Sequence, residues 1–291
     1  MPSGLRIVVM TVSIAGYRLV ADWAASHGHD VVLVVAPPVA ESIRRYGGDQ
    51  LPLAQQLPEH QDALLTARLG PVATPVISAL QPDLLVSASY PRLIPSGLLT
   101  VPQYGAVNLH PSALPRGRGP NPQRLIYEGD TTAGATLHKT AAEFDTGAIL
   151  STRERPLPDS PTALVLRDLL AGLLTEVLEE GTNRLFAGEP GEPQDASSAT
   201  YAGHFTQDER WLDLKEPAAA LQRRTAALNL ATPSALAKLG DQEVMVLGID
   251  LAPGQPTGAW ADVGPGQLIR WEADEVALVQ VGDSVVRMRI C

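Results

Sequence analysis

One cysteine stands in the 291 residues, and it is the last, Cys291. A lone thiol excludes an internal disulfide framework and any cysteine-based zinc site, and it agrees with a reducing compartment. Long apolar runs are missing too. No stretch approaches the roughly 18 residues of a membrane span, and Met1–Met10 offers only a strand's length of apolar residues with no basic region ahead of it. A soluble, cytoplasmic protein with no membrane partner is therefore expected. Positive charge is scarce: 22 Lys and Arg stand against 32 Asp and Glu, for a net charge of −10 at pH 7, and residues 199–291 alone carry eight basic and twelve acidic side chains. Affinity for nucleic acid rests largely on neutralising phosphates, so such a chain is a poor default binder. Two nucleotide and nucleophile signatures are absent as well. The turn after the first strand, Thr11-Val-Ser-Ile-Ala-Gly16, contains no G-x-G-x-x-G, and no Ser or Cys sits in a G-x-S-x-G elbow. The first absence removes a preformed pyrophosphate cradle, and the second makes the substrate, rather than the protein, the expected acyl acceptor. His27, His29, His60 and His204 have no spacing suited to a metal.

What is present concentrates in Gly105–Leu150. Gly105-Ala-Val-Asn-Leu-His110 is short, apolar and partly β-branched, which reads as a buried strand, and alternate residues of a strand face one side. Asn108 and His110 therefore point together, just before Pro111-Ser-Ala-Leu-Pro115 ends the strand. Open α/β sheets place their sites at such C-terminal edges. An acid followed by Thr-Gly, in Glu143-Phe-Asp-Thr-Gly147, sits on a tight turn between two strand-like runs and can be aimed back at the first strand. An amide N–H and an imidazolium suit an oxyanion, and a carboxylate orients and charges the imidazole, so Asn108, His110 and Asp145 suit attack on an acyl carbonyl. His138 alternates out of the strand leading to Asp145. It reads either as a pocket-lining group or as a histidine satisfied on a sheet face.

The run Asn108-x-His110-x-Ser112-x-Leu114-Pro115-x-x-Arg118-Gly119-x-x-Pro122, followed by Asp145-Thr-Gly147, resembles the signature of the formyltransferases that use 10-formyltetrahydrofolate. Leu5–Met10, His29–Val35 and Pro82–Pro95 align with that fold's early strands. Ala199-Thr-Tyr-Ala followed by Trp211-Leu-Asp-Leu looks like the entry to the C-terminal domain of the methionyl-tRNA and aminoarabinose branches. The resemblance implies catalytic roles for Asn108, His110 and Asp145. It implies folate contacts from Ser89, Tyr90, Arg92, Leu93 and Ile94, and from Glu143 and Phe144. Ser112, Arg116, Arg118 and His138 are candidates to meet the substrate. Arg116 and Arg118 read equally as braces of their loop through backbone carbonyls, and Arg92 as a substrate-carboxylate contact or a surface residue. Pro91 stands where glycine is common in the tRNA branch and removes one backbone donor.

The resemblance also implies the fold: a Rossmann-like open, mostly parallel sheet with helices on both faces over 1–192, and a smaller barrel-like (OB-like) domain over 193–291. The boundary lies in Ala187–Ser198, a linker by composition. Helices are predicted at Ile14–His27, Val39–Tyr46, Asp62–Leu69, Pro122–Glu128, Ser160–Phe186 and Pro217–Leu230. C-terminal strands are predicted at Val244–Leu247, Gln267–Arg270, Ala277–Val281 and Val285–Ile290. Relatives that act on tRNA carry a long basic loop after the second strand, whereas Pro37–Gly48 is short and has only Arg44 and Arg45. The expected activity is therefore formyl transfer to the amine or hydroxylamine of a small metabolite, of amino-sugar or siderophore type in secondary metabolism, with folate as donor and no metal. Methionyl-tRNA formylation, hydrolysis of the formyl donor and a non-catalytic folate-binding protein are the alternatives.

Overall fold

The computed structural model describes residues 2–38, 52–252 and 263–291. The helix predicted at Val39–Tyr46, with Arg44 and Arg45, lies outside the described residues. The chain forms two compact units, one made of Met1–Pro120, Gly134–Glu154 and Leu170–Tyr201, the other of Asn121–Ala133, Arg155–Leu169 and Ala202–Cys291.

A seven-stranded sheet runs through β1 (Arg6–Thr11), β2 (Asp30–Ala36), β3 (Ala63–Leu65), β4 (Leu84–Ala88), β5 (Ala106–His110), β6 (Thr132–Lys139) and β7 (Ile149–Pro156), in the order β3-β2-β1-β4-β5-β6-β7. The first five pair in parallel and β6 pairs antiparallel to β5. Parallel strands covered on both faces read as continuous apolar runs, and every residue of β4 is buried. The alternation within β2 shows the two layers. Leu33 and Val35 join a cluster with Ile77 of the helix Thr74–Leu80 and Leu98 of the helix Ser96–Leu99, whereas Val34 and Ala36 pack with Tyr17 of the helix Ile14–Ser26 and Leu53 of the helix Leu53–Gln56. Helices thus cover both faces. These are α1 (Ile14–Ser26), α2 (Leu53–Gln56), α3 (Thr74–Leu80) and α4 (Ser96–Leu99). The N-terminus of α1 is fixed by Ser13, whose Oγ accepts the Gly16 N–H at 3.0 Å. The chain runs from β1 outward through β2 and β3, then crosses back to β4, so strand order reverses at β1 and β4. Ligands of open α/β sheets bind at the carboxyl ends of strands at such a switch.

Further along lie α5 (Arg124–Glu128) and α6 (Ala163–Phe186). Within the first unit α6 passes so close to β6 that a Cβ on Gly181 would stand 2.6 Å from Leu137 Cδ2. In the second unit β8 (Leu236–Leu239), β9 (Gln242–Leu251), β10 (Leu268–Ala273), β11 (Val276–Gln280) and β12 (Val285–Ile290) form an antiparallel sheet in the order β10-β11-β12-β9-β8. Its core takes Leu221 and Leu228 from α7 (Ala218–Leu228), together with Val246, Val279 and Met288.

Two predictions of local structure are corrected. Asp62–Leu69 is not helical: Ala63–Leu65 pairs with Val34–Ala36 at the sheet edge, and helix begins only at Leu69. Strand pairing there outweighs the local helical spacing. The long helix begins at Ala163 rather than Ser160, because Thr162 Oγ1 accepts the Val165 N–H at 3.2 Å and caps it. The strand β8 has no counterpart among the strands predicted from the sequence. Among the described residues no helix is long and apolar enough to cross a membrane.

Leu85 is fully buried in the α3 and α4 layer. Leu85→Ala removes its contacts and leaves a cavity, at an expected cost of about 2–5 kcal/mol. Urea unfolding of the variant checks this, and a loss below about 1 kcal/mol would mean the layer closes over the gap.

Candidate active site

At the C-terminal end of β5, Asn108 and His110 lie on one face, as their spacing requires, and both reach Asp145. Asn108 Nδ2 donates to Asp145 Oδ1 at 3.3 Å, and His110 Nδ1 lies 3.4 Å from the same oxygen. The other carboxylate oxygen, Oδ2, accepts the Gly119 N–H at 2.8 Å. His110 Nε2 donates to the Gly117 carbonyl at 2.8 Å. A fourth group completes the cluster. His138 donates from Nδ1 to the Lys139 carbonyl at 2.9 Å, which orients its ring and leaves Nε2 3.0 Å from Asn108 Nδ2 and 3.6 Å from Asp145 Oδ1. His110, His138 and Asp145 are all buried.

The turn carrying Asp145 has a local cause. Asp145 has φ 56°, in the left-handed region that Asp tolerates better than most residues. Gly147 is required, because a Cβ there would overlap the Lys139 carbonyl. The facing loop is held by Thr136, whose hydroxyl donates to the Ser112 carbonyl at 2.7 Å and accepts the Leu114 N–H at 3.1 Å. Gly117 and Gly119 both have positive φ, which is why the Gly- and Pro-rich run can turn one carbonyl to His110 and one N–H to Asp145.

Burial would raise the Asp145 pKa, but the His138 and His110 imidazoles and the Gly119 N–H outweigh it and hold the carboxyl below its ordinary value. Burial likewise pushes His110 below the usual histidine value, with Asp145 and the Gly117 carbonyl pulling the other way. The resting cluster thus holds one ionised carboxylate beside an imidazole that resists a second proton.

The other candidate residues divide by position. Ser112 is buried and donates to the Arg116 carbonyl at 2.7 Å, so its hydroxyl serves its own loop. Arg116 is exposed. The Arg118 guanidinium holds Gln194 Oε1 through Nε and Nη2 at 3.0 and 2.7 Å. In the loop after β4, Ser89 is exposed with φ 60°, Tyr90 and Ile94 turn into the core, Leu93 is 48% exposed and Arg92 donates to the Ala67 carbonyl at 2.9 Å. Glu143 and Phe144 are exposed. Sequence reasoning missed Gln194, which sits in the stretch read as a linker. A side chain that acts on residues 49 and 47 positions back leaves no local pattern.

Asp145 supplies a test through stability. Its folded pKa lies below its unfolded one, so its contribution is present above the ordinary carboxylate range and is lost as pH falls through that range to the lower folded value. Asp145→Asn should therefore show a shallower fall of thermal midpoint than wild type between about pH 6 and pH 3. Equal slopes in circular dichroism melts would contradict the arrangement.

Comparison with known proteins gives a consistent set of likenesses. The model described as formyl transferase matches residues 6–170, and that of the formyl transferase C-terminal domain matches 204–291. The methionyl-tRNA formyltransferase of Halorhodospira halophila is 37% identical over 235 residues, 79% of this chain and 71% of its own. That of Stenotrophomonas maltophilia is 34% identical over 278 residues, 92% of this chain and 86% of its own. Among solved structures, the N-formyltransferase from Helicobacter canadensis in complex with folinic acid and dTDP-3-aminofucose superposes with a TM-score of 0.64 at 13% identity, over 98% of this chain and 99% of its own. HypX from Aquifex aeolicus in complex with tetrahydrofolic acid gives 0.69 at 18% identity over 98% of this chain, which spans 44% of HypX. At those identities the likeness is one of fold.

Proposed function

This chain belongs to the formyl transferase family, and from that premise we propose that it is an N-formyltransferase moving the formyl group of 10-formyltetrahydrofolate to the amine or hydroxylamine of a small metabolite. The observation that carries the reaction is the buried, ionised Asp145 in contact with Asn108 and His110 at the end of β5. The acceptor nitrogen attacks the formyl carbon, a C–N bond forms and the carbonyl oxygen takes up negative charge. Asn108 trades its long contact to Asp145 for that oxygen, and His110 turns its Nε2–H from the Gly117 carbonyl to the same oxygen, with Nδ1 beside Asp145. Asp145 takes the proton released by the amine, directly or through water. Collapse then breaks the bond to N10 of the folate, and Asp145 returns that proton to N10, which leaves as tetrahydrofolate. The loop with Ser89, Tyr90, Arg92, Leu93 and Ile94, together with Glu143 and Phe144, is the folate-facing surface in this reading. Leu93 and Phe144, each about half exposed, offer it apolar area.

Electrostatics support a small acceptor. Six cations of the C-terminal unit are held by acids: Arg124 by Glu209, Arg224 by Glu216, Lys238 by Glu243, Arg270 and Arg287 by Glu272, and Arg289 by Asp250. Cations committed in this way gain less from a phosphate backbone. A second reading, methionyl-tRNA as acceptor, is favoured by one observation: the relatives at 34–37% identity carry that name.

Two measurements test this reading. Asn108→Ala and His110→Ala should each lower kcat on the order of 10²- to 10³-fold; near-wild-type turnover in both would remove them from the mechanism. Transfer to a small amine should be nearly insensitive to salt between about 50 and 200 mM, whereas dependence on charged tRNA, with affinity falling steeply over that range, would establish the second reading.

A further inference from the structure

We propose that Gln194 is a positioning residue for the reaction: it bolts the Asp145–Gly147 turn to the Arg118–Gly119 loop and so fixes where the carboxylate points. The proposal rests on the reading of Asp145 as the proton acceptor. Gln194 lies between the two segments that match family models, 6–170 and 204–291, and it makes every hydrogen bond its amide allows. Nε2 donates to the carbonyls of Asp145 and Gly147, both at 2.8 Å, while Oε1 accepts Nε and Nη2 of Arg118 at 3.0 and 2.7 Å. The reverse orientation would set an NH₂ group against a guanidinium and an oxygen against two carbonyls, so the chemistry decides which way the amide points.

The grip is needed where it falls. Asp145 has φ 56°, a conformation that strains a non-glycine residue and persists only when its surroundings over-determine it. Its side chain is held by the Gly119 N–H at 2.8 Å, and its own carbonyl by Gln194. Gln194 is in turn held by Arg118, the neighbour of Gly119. Main chain and side chain of Asp145 are thereby referred to the same two loop residues. The loop itself is pinned, with the Arg118 N–H donating to the Thr200 carbonyl at 2.9 Å and the Gly117 N–H to Thr200 Oγ1 at 2.8 Å. All of these residues belong to one unit of the chain.

Gln194→Glu keeps an oxygen for Arg118 and the size of the side chain but loses both donors to the turn; Gln194→Met keeps only the size. In the full chain, both should lower kcat on the order of 10- to 100-fold, the cost of a misplaced reacting group, while KM for the amine moves by less than about threefold. The second readout is the NMR titration of the His110 imidazole, which needs no substrate. Asp145 holds that titration up from where burial alone would put it, so release of the turn in Gln194→Met, which adds no charge, should move it further down. Wild-type kcat and His110 titration in either folded variant would overturn the proposal, and so would a fall in kcat with the titration unmoved. If the wild-type protein formylates no amine, the reading of the reaction fails, and the titrations still decide whether Gln194 sets the position of Asp145. Should the glutamate variant not fold, the methionine variant decides both readouts.

Discussion

A carboxylate that is 8% exposed and still ionised must be supplied with donors, and most of what surrounds Asp145 answers that requirement. Burial alone costs a charged group several kcal/mol, so the group either neutralises or finds partners. Here the partners come from four stretches. The end of β5 gives Asn108 and His110, β6 gives His138, the Gly- and Pro-rich loop gives the Gly119 N–H, and the segment after α6 gives the amide that holds the turn. Removing the charge would leave several of these groups without a purpose in the fold. Their convergence is better explained by the charge than by packing.

The topology brings those stretches together. Placing β6 antiparallel beside β5 sets Asn108 opposite His138 and His110 opposite Thr136. The pairing delivers a second imidazole to the asparagine and a hydroxyl to the facing loop. Because β6 runs against β5, its end and the Asp145 turn lie toward the start of β5, and the carboxylate must reach back to the site. The left-handed φ of Asp145 and the bare Gly147 are the backbone consequences, with the Lys139 carbonyl filling the space a Cβ would need.

Much of this was legible in the sequence for a specific reason. Period-two alternation put Asn108 and His110 on one face, and an acid before Thr-Gly announced a turn between strands. The alternation also raised His138, while leaving open whether it lined the site; the structure places it against Asn108. What could not be read were bonds without a local period. Arg118 reads in the sequence as a substrate contact or as a brace of its loop, and its guanidinium holds the Gln194 side chain 76 residues away. Residues 63–65 had helical spacing and became a strand because β2 offered an edge. The acidic balance of the C-terminal unit was countable in advance, whereas its pairing of Arg287 and Arg270 with one glutamate needed coordinates.

The most direct test of the account is a carbon-13 NMR titration of the Asp145 carboxyl in the full chain, assigned with Asp145→Asn, from neutral pH into acid. The donors described here predict a midpoint below the ordinary aspartate value of about 3.9. A midpoint at or above that value would mean that burial outweighs the donors and that His138, His110 and the Gly119 N–H do not hold the carboxyl in the way described.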